Sequence, residues 1–247
     1  MIDLSVVLSV VIPVYNEEEN LPLLWPELRA VLEEMQVSFE VLMVDDGSRD
    51  RSAEIIRQFA AADRRVRLVS LKANAGETAA TDAGLRRARG QWIVTMDADL
   101  QNDPRDIPPL VGHLDRWDAA TGWRVKRDDS VVRRASSRVA NAVRNALSEE
   151  DIRDSGCTFR AFRRECLRGL VLYRGLHRFL PTLLRLRGYR VVEVPVHHRP
   201  RRFGASKYGI ANRAFVAFVD LLVIRWMKDR MLRYDVAEDV GGDSSIP

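Results

Sequence analysis

At 247 residues, 46% of them hydrophobic, the chain can bury a sizeable core as one large α/β domain or as one domain with an appendage. Its two cysteines, Cys157 and Cys166, have no CxxC spacing and the first residues show no secretory pattern, so a reduced cytosolic setting is expected. Charge divides the chain: residues 1–119 carry 13 Lys/Arg against 21 Asp/Glu, and residues 120–235 carry 26 against 11, which points to nucleic acid, an anionic membrane surface or a phosphorylated substrate as partner of the second half.

Ser5–Tyr15 is almost continuous Val, Leu and Ile, the pattern of a strand buried on both faces of a parallel sheet. Asn20 is placed to cap a helix whose apolar residues Leu21, Leu24, Leu28, Val31, Leu32 and Met35 keep helical spacing. Phe39–Val44 reads as a second strand, ending in Asp45-Asp46-Gly47-Ser48, two acids with a glycine for a tight turn. A helix follows over Ser52–Ala62 and a third strand over Val66–Leu71, and Asn74-Ala75-Gly76 leads into a helix over Glu77–Ala88. Trp92–Met96 is the fourth strand, running straight into Asp97-Ala98-Asp99-Leu100-Gln101.

The second half departs from this alternation. Ala119–Trp123 is a candidate fifth strand, Lys126–Asp129 a polar loop, and Val131–Leu147 a helix bearing Arg133, Arg134, Arg138 and Arg144. After Asp154-Ser155-Gly156, Cys157–Phe162 reads as a strand, Arg163–Leu170 and Arg178–Leu186 as helices, and Tyr189–Val196 as a strand. His197–Gly209 is a basic, turn-rich loop. Ile210–Leu232 is a dense apolar run broken by Asp220 and Arg225. It falls short of the ~20 apolar residues of a membrane span and reads as an interfacial amphipathic helix, with a packed or dimerising helix as the alternative. Val236–Pro247 is acidic and expected to be disordered. The expected division is a catalytic domain over 1–209, the helix over 210–233 and a tail over 234–247.

Strands alternating with helices make right-handed βαβ units and a parallel sheet, and such sheets bind ligands beyond the carboxyl ends of their strands. Tyr15–Glu17, Asp45–Ser48, Asn74–Gly76 and Asp97–Gln101 all fall at those ends. Two carboxylates just past a buried strand are costly unless paired. A hard divalent ion bridging to a ligand's phosphates takes such oxygens; the alternative is an acidic strand exit that caps the next turn. No GxGxxG follows the first strand and no GxxxxGK[ST] occurs, which disfavours a dinucleotide dehydrogenase and a P-loop phosphotransferase.

Together, VVIPVYNEEENL, FEVLMVDDGSRDRS, NAGETAATDAGLRRARG and MDADLQNDP resemble the successive signatures of family 2 glycosyltransferases of the GT-A fold. The DADLQ form followed by Pro104 is most similar to the branch that glycosylates polyprenyl phosphates, such as dolichyl-phosphate mannosyltransferases and undecaprenyl-phosphate sugar transferases. The likeness extends through Arg160-Ala161-Phe162 and HHRPRRFGASKYG and covers almost the whole chain. It implies a GT-A, Rossmann-like, mostly parallel sheet with helices on both faces. It also implies an inverting, metal-dependent glycosyltransferase of the hexosyltransferase class, moving a sugar from a nucleoside diphosphate sugar to a polyprenyl phosphate. By this likeness Asp99 and Gln101 hold Mg2+ or Mn2+, with Asp97 facing the ribose or completing the metal shell. Pro13, Tyr15 and Glu17, with Asp45 or Asp46, surround the base and ribose, and Asn74 and Gly76 lie near the nucleotide. Arg124, Arg133 or Arg134, and Lys207 grip the acceptor phosphate, and Asp154 stands where related enzymes place polar active-site residues.

A phosphate nucleophile needs no dedicated base, because its second pKa of about 6 leaves it mostly ionised at neutral pH. Fixed cations that hold two anions together are the greater need, although for most of the 23 arginines in 120–235 a solvated helix face is the ordinary reading. His197 and His198, adjacent at a strand end, face opposite ways and do not make a metal pair, while His113 and His177 read as structural or surface residues. A polysaccharide or other non-lipid acceptor and a non-catalytic nucleotide-sugar-binding scaffold are the alternatives. A nucleic-acid binder is disfavoured, since no RRM, KH or zinc pattern is present. The expected setting is cytoplasmic, peripheral on the inner face of the cell membrane or tied to a membrane partner, with a homo-oligomer left open.

Overall fold

The computed structural model describes residues 6–125, 152–154, 156–203 and 210–232. The expected loop at Lys126–Asp129, the helix over Val131–Leu147 and the acidic tail lie outside them, as do Arg133, Arg134 and Lys207.

Seven strands form one sheet: β1 (Leu8–Val14), β2 (Phe39–Asp45), β3 (Val66–Ser70), β4 (Trp92–Thr95), β5 (Ala119–Arg124), β6 (Arg160–Arg163) and β7 (Val191–Val196). Their order is β3-β2-β1-β4-β6-β5-β7. β6 runs antiparallel to both its neighbours, and every other pairing is parallel. Side chains alternate across the sheet. Leu8, Val10, Ile12 and Val14 of β1 therefore enter one core, and Val11 enters the other.

Helices cover both faces. On the first lie α1 (Leu21–Glu34), α2 (Ser52–Ala62) and α4 (Ile107–Gly112); on the second lie α3 (Glu77–Leu85) and α5 (Leu180–Leu186). α4 was not anticipated, because Pro108 and Pro109 disguise it. Both stand in its first turn, where the missing N–H costs nothing, and Ile107, Leu110 and Val111 are buried.

Several expectations need correction. Asn20 does not cap α1: it has helical angles and donates from Nδ2 to Glu17 Oε2 at 2.6 Å. α3 stops at Leu85, short of Ala88. Arg89 N–H is drawn to Glu40 Oε1 (2.7 Å) and Gly90 N–H to Ser9 Oγ (2.8 Å), which turns the chain toward β4. The helix expected over Arg163–Leu170 is one 3-10 turn, Arg164–Leu167, because Arg163 still pairs with Trp92 in the sheet. β6 starts at Arg160, since Thr158 instead turns its hydroxyl to Asp97.

α6 (Ile210–Arg230) buries Leu221 and Ile224 against Leu176, Phe179 and Leu183. Val219, Leu222, Val223 and Trp226 remain exposed on its other side. Asp220, an interruption in the sequence pattern, points inward, and a β-carbon on Gly175 would lie 2.6 Å from its Oδ2. Among the described residues, no helix is long and apolar enough to cross a membrane.

Candidate active site

The carboxyl ends of β1, β2 and β4 open onto a cavity of about 460 Å3. Of the residues expected there, Pro13, Tyr15, Glu17, Asp46, Asn74, Asp97, Asp99 and Gln101 line it. Asp45 does not: it is buried, and its Oδ1 accepts the Ser48 N–H at 3.1 Å. Asp46 faces the cavity while binding the next loop, accepting from Asn74 Nδ2 (2.9 Å), Ala75 N (2.7 Å) and Gly76 N (2.9 Å). Gly76 thus acts through Asp46, without lining the cavity itself. Gly47 makes this approach possible: its φ is +68°, and a β-carbon there would come within 2.7 Å of the Ala73 backbone.

At the end of β4 the loop is held from within. Asp97 N–H donates to Asn102 Oδ1 at 2.9 Å, and Leu100 takes a positive φ of 64°. Asp97 Oδ2 accepts from Thr158 Oγ1 at 2.6 Å. Burial, then the charges of Glu77 and Asp99, push the Asp97 carboxyl up to about 7. Asp99 Oδ1 accepts the Gln101 N–H at 3.1 Å.

The start of the basic loop is strapped onto this acidic one. Arg199 N–H donates to the Gln101 carbonyl (2.9 Å), and Asn102 and His198 form a β-bridge. His197 donates from its backbone to Asp106 Oδ2 at 2.7 Å, with its Nδ1 2.8 Å from Oδ1. The Arg199 guanidinium lies between Glu27 and Asp103, its Nη1 2.8 Å from Glu27 Oε2 and its Nη2 2.8 Å from Asp103 Oδ1. Burial works to raise the Asp103 carboxyl, but the hydrogen bonds from Arg105 and Arg199 hold it well below the usual range. Arg201 reaches furthest in, its Nη2 donating to Asp99 Oδ2 (2.7 Å) and Gln101 Oε1 (3.2 Å). His198 Nε2 stands 3.3 Å from Gln101 Nε2.

Arg124 and Asp154 form a two-pronged pair, Nε–Oδ2 at 2.7 Å and Nη2–Oδ1 at 2.8 Å, behind Gly156 at the cavity wall. Burial would lower the Arg124 guanidinium's pKa, and Asp154 more than offsets it.

Glu77, Thr158, His177, Arg178 and Arg201 also line the cavity and were missed as site residues. His177 in particular is not a surface residue: it is buried and lines the cavity. Its Nδ1 lies 2.7 Å from Thr78 Oγ1 and its Nε2 3.3 Å from Glu77 Oε1. The visible signal for Arg201 was the HHRPR run, which reads as a solvated loop until its partners are known.

The donor set suits a divalent cation. Asp99 and Gln101 turn two oxygens onto one point, and a guanidinium already stands there as a substitute cation. Among the described residues no group of three His, Cys, Asp or Glu converges, so a ligand's phosphates would have to complete a coordination shell.

The family model for glycosyl transferase family 2 matches residues 9–170. The chain belongs to this family. The match ends before His177, Arg178 and Arg201, so these three lining residues lie beyond the matched region. Two similar proteins are named undecaprenyl-phosphate 4-deoxy-4-formamido-L-arabinose transferase. The one from Salmonella paratyphi A is 38% identical and that from Salmonella choleraesuis 37% identical, each over 216 residues. Each match covers 87% of this chain, and the chain spans 64% of the length of these relatives. Glucosyl-3-phosphoglycerate synthase from Mycobacterium tuberculosis, solved with Mn2+, UDP and phosphoglyceric acid, shares the fold at a TM-score of 0.66 and 21% identity, over 92% of this chain and 80% of that one. TarS from S. aureus, solved with UDP, superposes at a TM-score of 0.56 and 16% identity, over 90% and 65% of the respective chains.

Proposed function

We propose that this family 2 protein is an inverting glycosyltransferase that moves a sugar from a nucleoside diphosphate sugar to a polyprenyl phosphate. One observation carries the reading: Arg201 brings the basic strap onto Asp99 and Gln101, so acids for a metal and cations for phosphate share one cavity. The names of the relatives at 38% identity support the lipid phosphate as acceptor and an aminosugar derivative among the donors to test.

Pro13, Tyr15, Glu17, Asp46 and Asn74 hold the nucleoside end. Asp97, Asp99 and Gln101 would hold Mg2+ or Mn2+. When bound, the ion supplies Lewis-acid stabilisation of the charge on the departing diphosphate. The acceptor's phosphate oxygen attacks the anomeric carbon as the bond from that carbon to the diphosphate breaks, and the bonding pair leaves with the nucleoside diphosphate. No proton has to be removed from the nucleophile. Arg124, set in place by Asp154, offers a guanidinium to the incoming phosphate, so Asp154 serves the acceptor indirectly. Arg133 or Arg134, and Lys207, complete this grip. The exposed stripe of α6 rests on the inner face of the membrane or on a membrane partner, with the catalytic domain of 1–209 on the cytoplasmic side. A homo-oligomer through the same stripe is the competing arrangement.

The test is to incubate the protein with undecaprenyl phosphate, Mn2+ and a panel of UDP- and GDP-sugars. Glycolipid from one donor is the expected result. Sugar transfer to water-soluble glycans alone, or nucleotide binding with no turnover on any donor, contradicts the proposal.

A further inference from the structure

We infer that Glu77 reads the sugar of the donor: its free carboxylate oxygen accepts a hydrogen bond from a hydroxyl or amino group of the unit being transferred. The inference rests on the donor chemistry proposed above. A nucleoside diphosphate sugar runs from nucleoside through diphosphate to sugar. Pro13, Tyr15, Asp46 and Asn74 take the first part, and Asp99 and Gln101 face the second. Of the other polar lining residues, Glu17 stands with the nucleoside end and Asp97 and Arg201 with the acidic loop, which leaves Glu77, Thr158, His177 and Arg178 for the sugar.

The polar groups behind Glu77 are ordered to hold it. Gly175 N–H donates to Thr78 Oγ1 at 3.0 Å. That occupies an acceptor site of the hydroxyl and leaves its proton for His177 Nδ1, at 2.7 Å. The imidazole's own proton then resides on Nε2, which points at Glu77 Oε1 across 3.3 Å. The fully buried Arg160 clamps the loop carrying this histidine, donating to the carbonyls of His177 at 2.6 Å and Arg178 at 3.1 Å. Glu77 itself is the first residue of α3, so its backbone is fixed as well. Its Oε1 is thereby occupied, and its Oε2 has no hydrogen-bond partner among the described residues. Neither the metal loop nor the nucleoside end uses this carboxylate.

A carboxylate acceptor close to Asp97 selects sugars that donate hydrogen bonds, neutral or amino, and disfavours a uronate. His177 is a positioning residue for Glu77.

Calorimetric titration in Mn2+ tests this without any acceptor. The ligands are UDP, GDP, UDP-glucose, UDP-N-acetylglucosamine, GDP-mannose and UDP-glucuronate, against wild type, E77A, E77Q, H177A and the E77A/H177A pair. Charge-assisted hydrogen bonds are worth about 1.5–3 kcal/mol, so E77A should weaken the preferred nucleotide sugar by about tenfold or more. Its affinity for the bare diphosphate should stay unchanged, which also reports that the variant is folded. E77Q, which keeps an acceptor oxygen, should lose less, and H177A should add nothing in the E77A background. Equal weakening of diphosphate and nucleotide sugar, unchanged binding of both, or tight binding of the glucuronate overturns the inference. A wild type that binds donors but makes no glycolipid overturns the proposed transfer alone. A wild type that makes glycolipid while E77A binds normally overturns this inference alone.

Discussion

The Arg201 guanidinium carries the basic half of the chain into the acidic loop. Arg201 and Asp99 are 102 residues apart and meet at 2.7 Å. Their pairing could not be read locally: Asp97, Asp99 and Gln101 stand out because they follow a buried strand, whereas Arg201 is one of many arginines. The same holds for His177, whose partners Thr78 and Glu77 come from a helix 99 residues earlier. Arg201 competes for the oxygens a divalent ion would take, so Arg201→Ala should bind Mn2+ alone severalfold more tightly. Paramagnetic titration of free Mn2+ measures this, and a weaker affinity in the variant would contradict it. Asp97 yields a pH prediction. Its carboxyl is pushed up to about 7 in the folded chain, against ~3.9 for an unperturbed aspartate. Between those values the folded chain keeps a proton that the unfolded chain has released, so stability falls as pH rises through that window. Asp97→Asn removes this loss. In EDTA its melting temperature should exceed that of wild type at pH 8, with the advantage shrinking toward pH 4; a pH-independent difference would refute the assignment.

Among the elements, those with long apolar runs and clear turn residues were legible in advance. Helix α2 has the predicted bounds, and β1 to β4 lie within a residue or a few of theirs. The antiparallel setting of β6 was not legible, because strand direction depends on which neighbour it meets rather than on its own residues. The stop of α3 was hidden for a similar reason: it depends on Glu40, 49 residues away from Arg89. Glu40 is 3% exposed and accepts from Ser9 Oγ, Arg89 N and Arg67 Nη1, far from the cavity's acidic loop. Removing it strands those donors, so Glu40→Ala should cost about 2–4 kcal/mol in urea unfolding while leaving nucleotide affinity intact. A shift below about 0.5 kcal/mol, the range of a plain surface substitution, would contradict this network's role. Helix α6 is legible as a C-terminal helix with an apolar run, but its packing on Leu176, Phe179 and Leu183 and the inward setting of Asp220 beside Gly175 are not. Its exposed stripe makes a further prediction: a Leu222→Glu, Trp226→Glu double variant should lose flotation with anionic vesicles and keep diphosphate binding. Unchanged flotation would assign the stripe to another partner.

For the whole molecule, the division of charge acquires a spatial meaning. The acidic half builds the sheet's rim and the Asp97–Gln101 loop, and the basic half folds back across it through Arg199 and Arg201. On the proposed function one end of the cavity takes the nucleoside diphosphate and one wall the sugar, and α6 packs against Leu176 and Phe179, which flank His177. The proposed transfer to a lipid phosphate depends on Asp99 more than on any other residue of the site. The direct measurement is the rate of glycolipid formation from the accepted nucleotide sugar and undecaprenyl phosphate, wild type against Asp99→Ala, as Mn2+ is raised. Wild type should show saturable metal dependence, and the variant should fall by about 10³-fold or more at every Mn2+ concentration. Full activity in the variant would contradict the account.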